Sequence, residues 1–340
     1  MMRRQVAIIG AGISGLACAN RLTALGHRAV LFDKGRGPGG RAGSRRQGEQ
    51  SLDLGAQHFT ARHPDFQAAV DTWREADIVA PWPSMLYCVD HERQWRSHQD
   101  DESRYCGTPR MSALTRHLAT GEELIPSTRI TQLHERLDGW WLEDHHQDLH
   151  GPFDHVVVTA PAPQATPLLR PHDPALAAAC SEIDMQPCWS AWVTFDAPLT
   201  LPGVDPGWPV ARFDEGPIRL AIRHNTKPGR DEAAETVVLL ATQRWSQQYL
   251  EDDASSIAQR LLDAFTDRLP AATALPDVTL GGAHRWRYAN AVNCLGEEDH
   301  RIGDSGLVLA GDGCRGGRIE DAWLSGSHAA ERLVSLVGAP

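Results

Sequence analysis

Residues 5–26 read QVAIIGAGISGLACANRLTALG. The run QVAII (5–9) is apolar and short enough for a buried strand. Gly10-Ala11-Gly12-Ile13-Ser14-Gly15 then matches GxGxxG, and residues 14–25 place Leu16, Ala19, Leu22 and Leu25 on one helical face before a stop at Gly26. A second apolar run, RAVLF (28–32), completes a βαβ unit. The three glycines serve different ends. Gly10 makes the tight turn, Gly12 lets backbone approach a pyrophosphate, and Gly15 lets the helix pack on the sheet. The helix N-terminus offers free N–H groups and a positive dipole end to phosphate. Asp33 closes the second strand, 23 residues after Gly10, where a carboxylate accepts hydrogen bonds from a ribose diol and repels a 2′-phosphate. The sequence thus predicts an α/β protein with a Rossmann-like dinucleotide slot that excludes NADP.

The chain repeats the device near its end. Residues 306–326, GLVLAGDGCRGGRIEDAWLSG, read as a strand, a Gly311-Asp312 turn and a helix from about Ile319. A carboxylate at that turn suits a ribityl hydroxyl, which FAD has and NAD lacks. The last helix then points its positive end at the N1–C2 edge of a flavin. After Asp33 come four glycines and three cations in KGRGPGGR (34–41), a loop suited to the far side of a pyrophosphate. Ile130 opens a hairpin whose backbone suits adenine, and VVVTAPAPQ (156–164) ends a strand in small residues. The expected FAD-contacting set is therefore Gly10, Gly12, Ile13, Ser14, Gly15, Asp33, Lys34, Gly40, Arg41, Ala56, Gln57, Ile130, Gly311, Asp312, Ile319 and Ala322.

Bulk properties narrow the class. A net charge of -11 opposes nucleic-acid binding. Seven cysteines without a CxxC argue against a disulfide framework or zinc site and fit a reducing cytoplasm. No apolar run reaches the ~20 residues of a membrane span, and no metal site is expected; His145 and His146 read as a solvated turn. SALTRHLA (112–119) and SSIAQRLLDAFTDRL (255–269) have helical spacing, and 127–144 alternates as a hairpin. Strand-like runs within 187–244 predict a mainly antiparallel sheet. This suggests a discontinuous FAD domain (1–75, 105–165 and 275–340) and a substrate domain (76–104 and 166–274).

Beyond the glycine motifs, LFDKGRGPGGR, LDLGAQHFTAR, KPGR (227–230) and HRWRYA (284–289) extend the pattern across most of the chain. The chain resembles renalase-type flavoproteins, within the wider flavin amine oxidase group. His58, Arg110 and Asp321 depart from that pattern, which usually has tyrosine, glycine and glycine there; the last change would be felt at the flavin-facing helix. The resemblance implies oxidation of 2- or 6-dihydro isomers of NAD(P)H to NAD(P)+, with hydride passing to flavin N5 and O2 reduced to H2O2. Recovery of an aromatic pyridinium drives that transfer, so orientation and exclusion of water suffice without a general base. Expected substrate-contacting residues are Gln57, His58, His224, Trp245, Trp286 and Trp323, with Asn225, Lys227, His284, Arg285 and Tyr288 nearby. Arg62 reads as a surface ion pair, and covalent flavin attachment at Cys314 is not expected. An amine oxidase or desaturase on this scaffold, a non-catalytic FAD-binding protein, and a nicotinamide-only dehydrogenase are the alternatives, the last disfavoured by Gly311-Asp312. The partners implied are a dihydronicotinamide dinucleotide and O2, in a monomer or dimer.

Overall fold

The computed structural model describes residues 3–48, 50–82, 85–99, 102–230, 234–295 and 299–337. The opening βαβ unit forms as its pattern dictates, with strands Gln5–Ile9 and Arg28–Phe32 flanking helix Ile13–Ala24. They sit at the heart of a six-stranded sheet in the order 300–302, 308–310, 155–158, 5–9, 28–32, 123–125. All neighbours are parallel except the edge strand His300–Ile302. The strand leading to Gly10 and the strand leading to Gly311 are therefore separated by a single strand, 155–158. Both turns emerge at the carboxyl end of the sheet, about 10 Å apart at the usual strand spacing.

One face of this sheet is covered by helices Ile13–Ala24, Pro64–Glu75, Ser112–Leu118 and Ile319–Val337. The last helix crosses the first at backbone contact: a Cβ on Gly326 would lie 2.0 Å from the Ser14 carbonyl oxygen. The other face carries a three-stranded antiparallel sheet, Ile130–Arg136, Gly139–Asp144 and Leu149–Phe153, with helices Ala162–Leu169 and Pro174–Ser181.

A separate seven-stranded, mostly antiparallel sheet follows the order 278–291, 185–195, 236–241, 218–223, 210–213, 85–89, 95–99. Its outer face packs on helix Ala254–Thr266, whose N-terminus is capped by the Asp253 carboxylate accepting from Ser256 N–H at 2.9 Å. Two expected boundaries move. Strand Val278–Ala291 pairs along the length of 185–195, so it belongs to the second domain and not to the flavin-binding one. Helices 162–169 and 174–181 pack on the first sheet, so that domain extends to about residue 183.

Candidate active site

The first glycine loop is shaped as a phosphate cradle. Gly10 has φ +111°, and a Cβ on Gly15 would meet the Gly10 carbonyl oxygen at 1.9 Å. Nothing lies within 4 Å of a Cβ on Gly12, so the space in front of that residue is open. Helix 13–24 has no side-chain cap, and the buried Ser14 hydroxyl has no hydrogen-bond partner among the described residues. These orphan donors face the place where a pyrophosphate is expected. The second glycine loop is stitched to the first: Gly39 N–H donates to the Ala11 carbonyl at 2.8 Å, and Gly40 lies against Gly12. Asp33 accepts from Ala11 N–H (2.7 Å) and Gly35 N–H (2.6 Å), which fixes its carboxylate beside the cradle. Ser127 and Thr128 N–H groups donate to the Gly35 and Asp33 carbonyls, both at 2.8 Å, which brings Ile130 to the adenosine side. Lys34 reaches across to Gln164 Oε1 at 3.0 Å.

The two ends of the chain meet in an ion pair. Arg41 donates from both terminal nitrogens to the two oxygens of Asp312 at 2.6 Å, and also to the Ala289 carbonyl at 3.0 Å. Burial disfavours the Arg41 cation, but Asp312 more than compensates and holds it charged. Sequence reasoning gave these two residues to different parts of the cofactor; the fold makes them partners. Thr159 ties the same region together, its hydroxyl donating at 3.1 Å to the carbonyls of Ile9 and Gly10. Ala56 N–H donates to the Arg41 carbonyl at 2.9 Å, carrying the segment 53–58 alongside.

The inner face of the seven-stranded sheet supplies a wall opposite that segment. Strand alternation and register put Cys188, Ser190, Trp192, His284, Trp286, Leu220, Ile222, Val238 and Leu240 on this face. Trp82 packs with them beneath Leu52 and Leu54. The Trp286 indole donates to the Leu54 carbonyl at 2.7 Å and lies edge-on to His284, centroids 4.6 Å apart. The Trp192 ring lies against Gly282, where a Cβ would come within 2.5 Å. The polar atoms His58 Nδ1, Trp82 Nε1, Ser190 Oγ and Trp192 Nε1 are buried without a hydrogen-bond partner among the described residues. A wall of orphan donors and aromatic faces suits a planar ligand with a few polar edges. Both wall histidines are neutral at pH 7. Burial, then Arg104, Lys227 and Arg219, push His58 down to about 3; burial and Arg45 push His284 down to about 4.

Behind the wall lies a buried charge cluster that the sequence did not announce. Asp53 is fully buried and accepts from Lys227 Nζ (3.2 Å), Arg230 Nη2 (2.6 Å), Ser44 Oγ (2.7 Å) and Met111 N–H (3.1 Å). Burial alone would raise its carboxyl, but Lys227 and Arg230 reverse this and hold it well below the usual carboxylate range. Lys227 also donates to Gln57 Oε1 at 2.8 Å, and Gln57 Nε2 donates to the Asp53 carbonyl at 2.5 Å. Lys227 is lowered by burial against the pull of Asp53. The available signal was Asp53 itself, a lone acid in the apolar run SLDLGA.

The geometry rearranges the expected substrate-contacting set. His58 and Trp286 stand at the wall, and His58 leans on Trp82 with centroids 5.6 Å apart. Gln57 is committed to Lys227 and backbone, and His224, also pushed down to about 3 by burial and Lys227, sits beside the Asp53 cluster. Trp245 is moved to the opposite face of the sheet, where it packs on Tyr249 at 4.8 Å. Trp323 turns away toward helix 64–75, its ring 5.5 Å from Phe66 and 6.4 Å from Trp73. Arg285 faces outward to Glu251 (2.9 Å), and Asn225 donates to Glu235 at 3.3 Å. Arg62 pairs with Glu102 at 2.5 Å on the surface. Asp321 is absorbed locally: Arg318 donates to both its oxygens at 2.9 Å, and the helix still begins at Ile319 beside Ala322. The Cys314 thiol is buried and raised by that burial, which leaves it inert.

A dinucleotide cradle joined to an aromatic wall at a domain boundary defines a redox enzyme built around an extended cofactor. The profile described as NAD(P)-binding Rossmann-like domain matches residues 8–75, and that described as flavin containing amine oxidoreductase matches residues 73–334. The chain belongs to the flavin-containing amine oxidoreductase family and is an FAD-dependent oxidoreductase. Its fold is similar to that of a protein from Exiguobacterium sp. 255-15 provisionally named a protoporphyrinogen oxidase. The two share 14% identity at a TM-score of 0.72, over 99% of this chain and 100% of that one. An oxidoreductase from Methanosarcina mazei is similar at 14% identity and a TM-score of 0.70, over 96% and 100% of the respective chains.

Proposed function

We propose that this enzyme oxidises 2- or 6-dihydro isomers of NAD(P)H to NAD(P)+, in the manner of the renalase-type proteins that its sequence resembles. The observation that carries the reading is the aromatic wall itself, with its buried polar atoms that have no hydrogen-bond partner among the described residues. Arg104, Lys227 and Arg219 add to burial in depressing His58, against Glu102, and Arg45 adds to burial at His284. Cations so placed disfavour a substrate ammonium, the charged form of an amine near neutral pH. Trp82, Trp192 and Trp286 offer flat apolar surface to a dihydronicotinamide ring, and the orphan donors offer hydrogen bonds to a carboxamide.

Bound FAD would supply the hydride acceptor and return the electrons to O2. Gly12, Ser14 and the start of helix 13–24 would hold its pyrophosphate, Asp33 its ribose, and the Arg41–Asp312 junction the stretch leading to its ring. The wall would orient the dihydronicotinamide and keep water out. Lys227 is pinned between Asp53 and Gln57, so it acts on orientation and not as a free base.

The test is anaerobic mixing of the FAD-loaded enzyme with 2-, 4- and 6-dihydronicotinamide dinucleotides, a primary amine, and protoporphyrinogen, the substrate in the Exiguobacterium protein's name. Rapid bleaching of the flavin band by the 2- or 6-isomer supports the reading. Bleaching by the amine or by protoporphyrinogen, with none from either isomer, overturns it.

A further inference from the structure

Segment 57–63 carries His58 to the aromatic wall and is held from three directions. Gln57 Oε1 accepts from Lys227 Nζ at 2.8 Å, a tie to the second domain. Phe59 and Tyr105 exchange both backbone hydrogen bonds, at 2.9 and 2.8 Å. The third tie comes from the last helix. Glu320, its second residue and 1% exposed, accepts through Oε1 from the Arg62 N–H (2.7 Å) and the His63 N–H (2.5 Å). Its Oε2 lies 2.9 Å from Arg318 Nη1. Both oxygens are engaged, so this carboxylate holds backbone and does not meet a substrate.

Apolar packing alone would not fix the junction. Ile319, Ala322 and Trp323 share one core with Ala56, Phe59 and Ala61, but such contact is non-directional and tolerates sliding. Two N–H groups converging on one carboxylate oxygen set distance and register, and hydrogen bonds to a charged acceptor are the stronger kind. Pro64 follows at once as the first residue of helix Pro64–Glu75, and the His63 ring caps that helix by accepting from Asp65 N–H at 3.3 Å. The Glu320 carboxylate therefore grips the chain between His58 and the rigid start of helix 64–75.

We propose that Glu320 is a positioning residue. It fastens segment 57–63 to the start of helix 319–337, where the flavin edge is expected, and so sets how His58 stands toward the reacting rings. A misplacement of about 1 Å costs up to about a hundredfold in rate, so a carboxylate that touches no substrate still governs the reaction.

The experiment uses FAD-loaded protein and whichever donor bleaches the flavin in the test above, so it holds whatever that donor is. Glu320→Ala is expected to slow flavin reduction at saturating donor about tenfold and to leave half-saturation within about threefold. Glu320→Gln, whose amide oxygen still accepts from both N–H groups, is expected to recover most of the rate. In a His58→Ala background, Glu320→Ala is expected to cost under about twofold, because the residue through which it acts is gone. No loss in Glu320→Ala, no rescue by Gln, or equal losses with and without His58 overturn the proposal. Hydrogen exchange read by mass spectrometry needs no donor. Glu320→Ala is expected to speed exchange in 57–66 and to spare 10–24, and Glu320→Gln to keep the protection. Unchanged exchange in 57–66, or faster exchange across the whole chain, overturns the proposal as well. If no donor reduces the flavin, exchange alone decides. If Glu320→Ala does not fold, Glu320→Asp takes its place in every comparison, its carboxylate being one methylene short of the two N–H groups.

Discussion

Replacing Asp53 by Asn tests the buried charge cluster that joins the two domains. Asp53 comes from the segment after strand Gln50–Leu52, while Lys227 and Arg230 come from the second domain, and all three side chains are at most 3% exposed. The substitution is nearly isosteric but leaves two buried cations facing a neutral amide. Removing one partner of a buried ion pair costs about 3–5 kcal/mol. A chain of 340 residues has an unfolding entropy of about 0.7 kcal/mol/K if it melts as a unit. The expected drop in Tm is therefore about 4–7 °C, measured by circular dichroism on the FAD-loaded protein. Lys227→Met is expected to cost less than half as much, because Arg230, Ser44 and Met111 N–H still satisfy Asp53. A drop of under about 1 °C for Asp53→Asn, or an equal loss for Lys227→Met, would refute the view that Asp53 is the anchor for both cations.

The two key glycines should fail differently. Gly12→Ala is expected to fold normally and bind FAD at least about tenfold more weakly, because its Cβ enters open space meant for phosphate; Gly15→Ala should lower Tm outright through contact with the Gly10 carbonyl. Parallel melting curves and FAD titrations separate the two. His58 is neutral in the fold down to about pH 3, whereas an unfolded histidine titrates near ~6.5. Between these values the unfolded chain binds the extra proton, so stability falls as pH drops through that window. His58→Tyr should flatten the Tm–pH profile there, and an unchanged slope would contradict the burial argument. Trp245→Phe, on the outer face, should leave substrate half-saturation within about twofold, whereas Trp286→Ala should raise it clearly.

The βαβ unit was legible because its glycines, helix face and terminal acid are local signals, each confined to residues 5–33. The Gly311-Asp312 turn was legible for the same reason. What the sequence hid was partnership between distant segments. The Arg41–Asp312 pair spans 271 positions and the Lys227–Asp53 pair 174, and no periodicity records either. Trp245 and Trp286 looked alike in one dimension. Trp286 is set on the inner face by the register of strand 278–291, whereas Trp245 lies on the short helix Gln243–Gln248 that packs on the outer face. Strand 278–291 was assigned to the wrong domain by continuity with its C-terminal neighbours, when its hydrogen bonds run to 185–195.

One extended nucleotide gripped at both ends of the polypeptide is the idea on which the enzyme's chemistry depends. Calorimetric titration of the apoprotein with FAD, ADP and riboflavin tests it most directly. One FAD per chain is expected, with ADP and riboflavin each binding far more weakly and each displaced by FAD. Apoprotein that takes up no flavin, or that binds riboflavin as tightly as FAD, would contradict it.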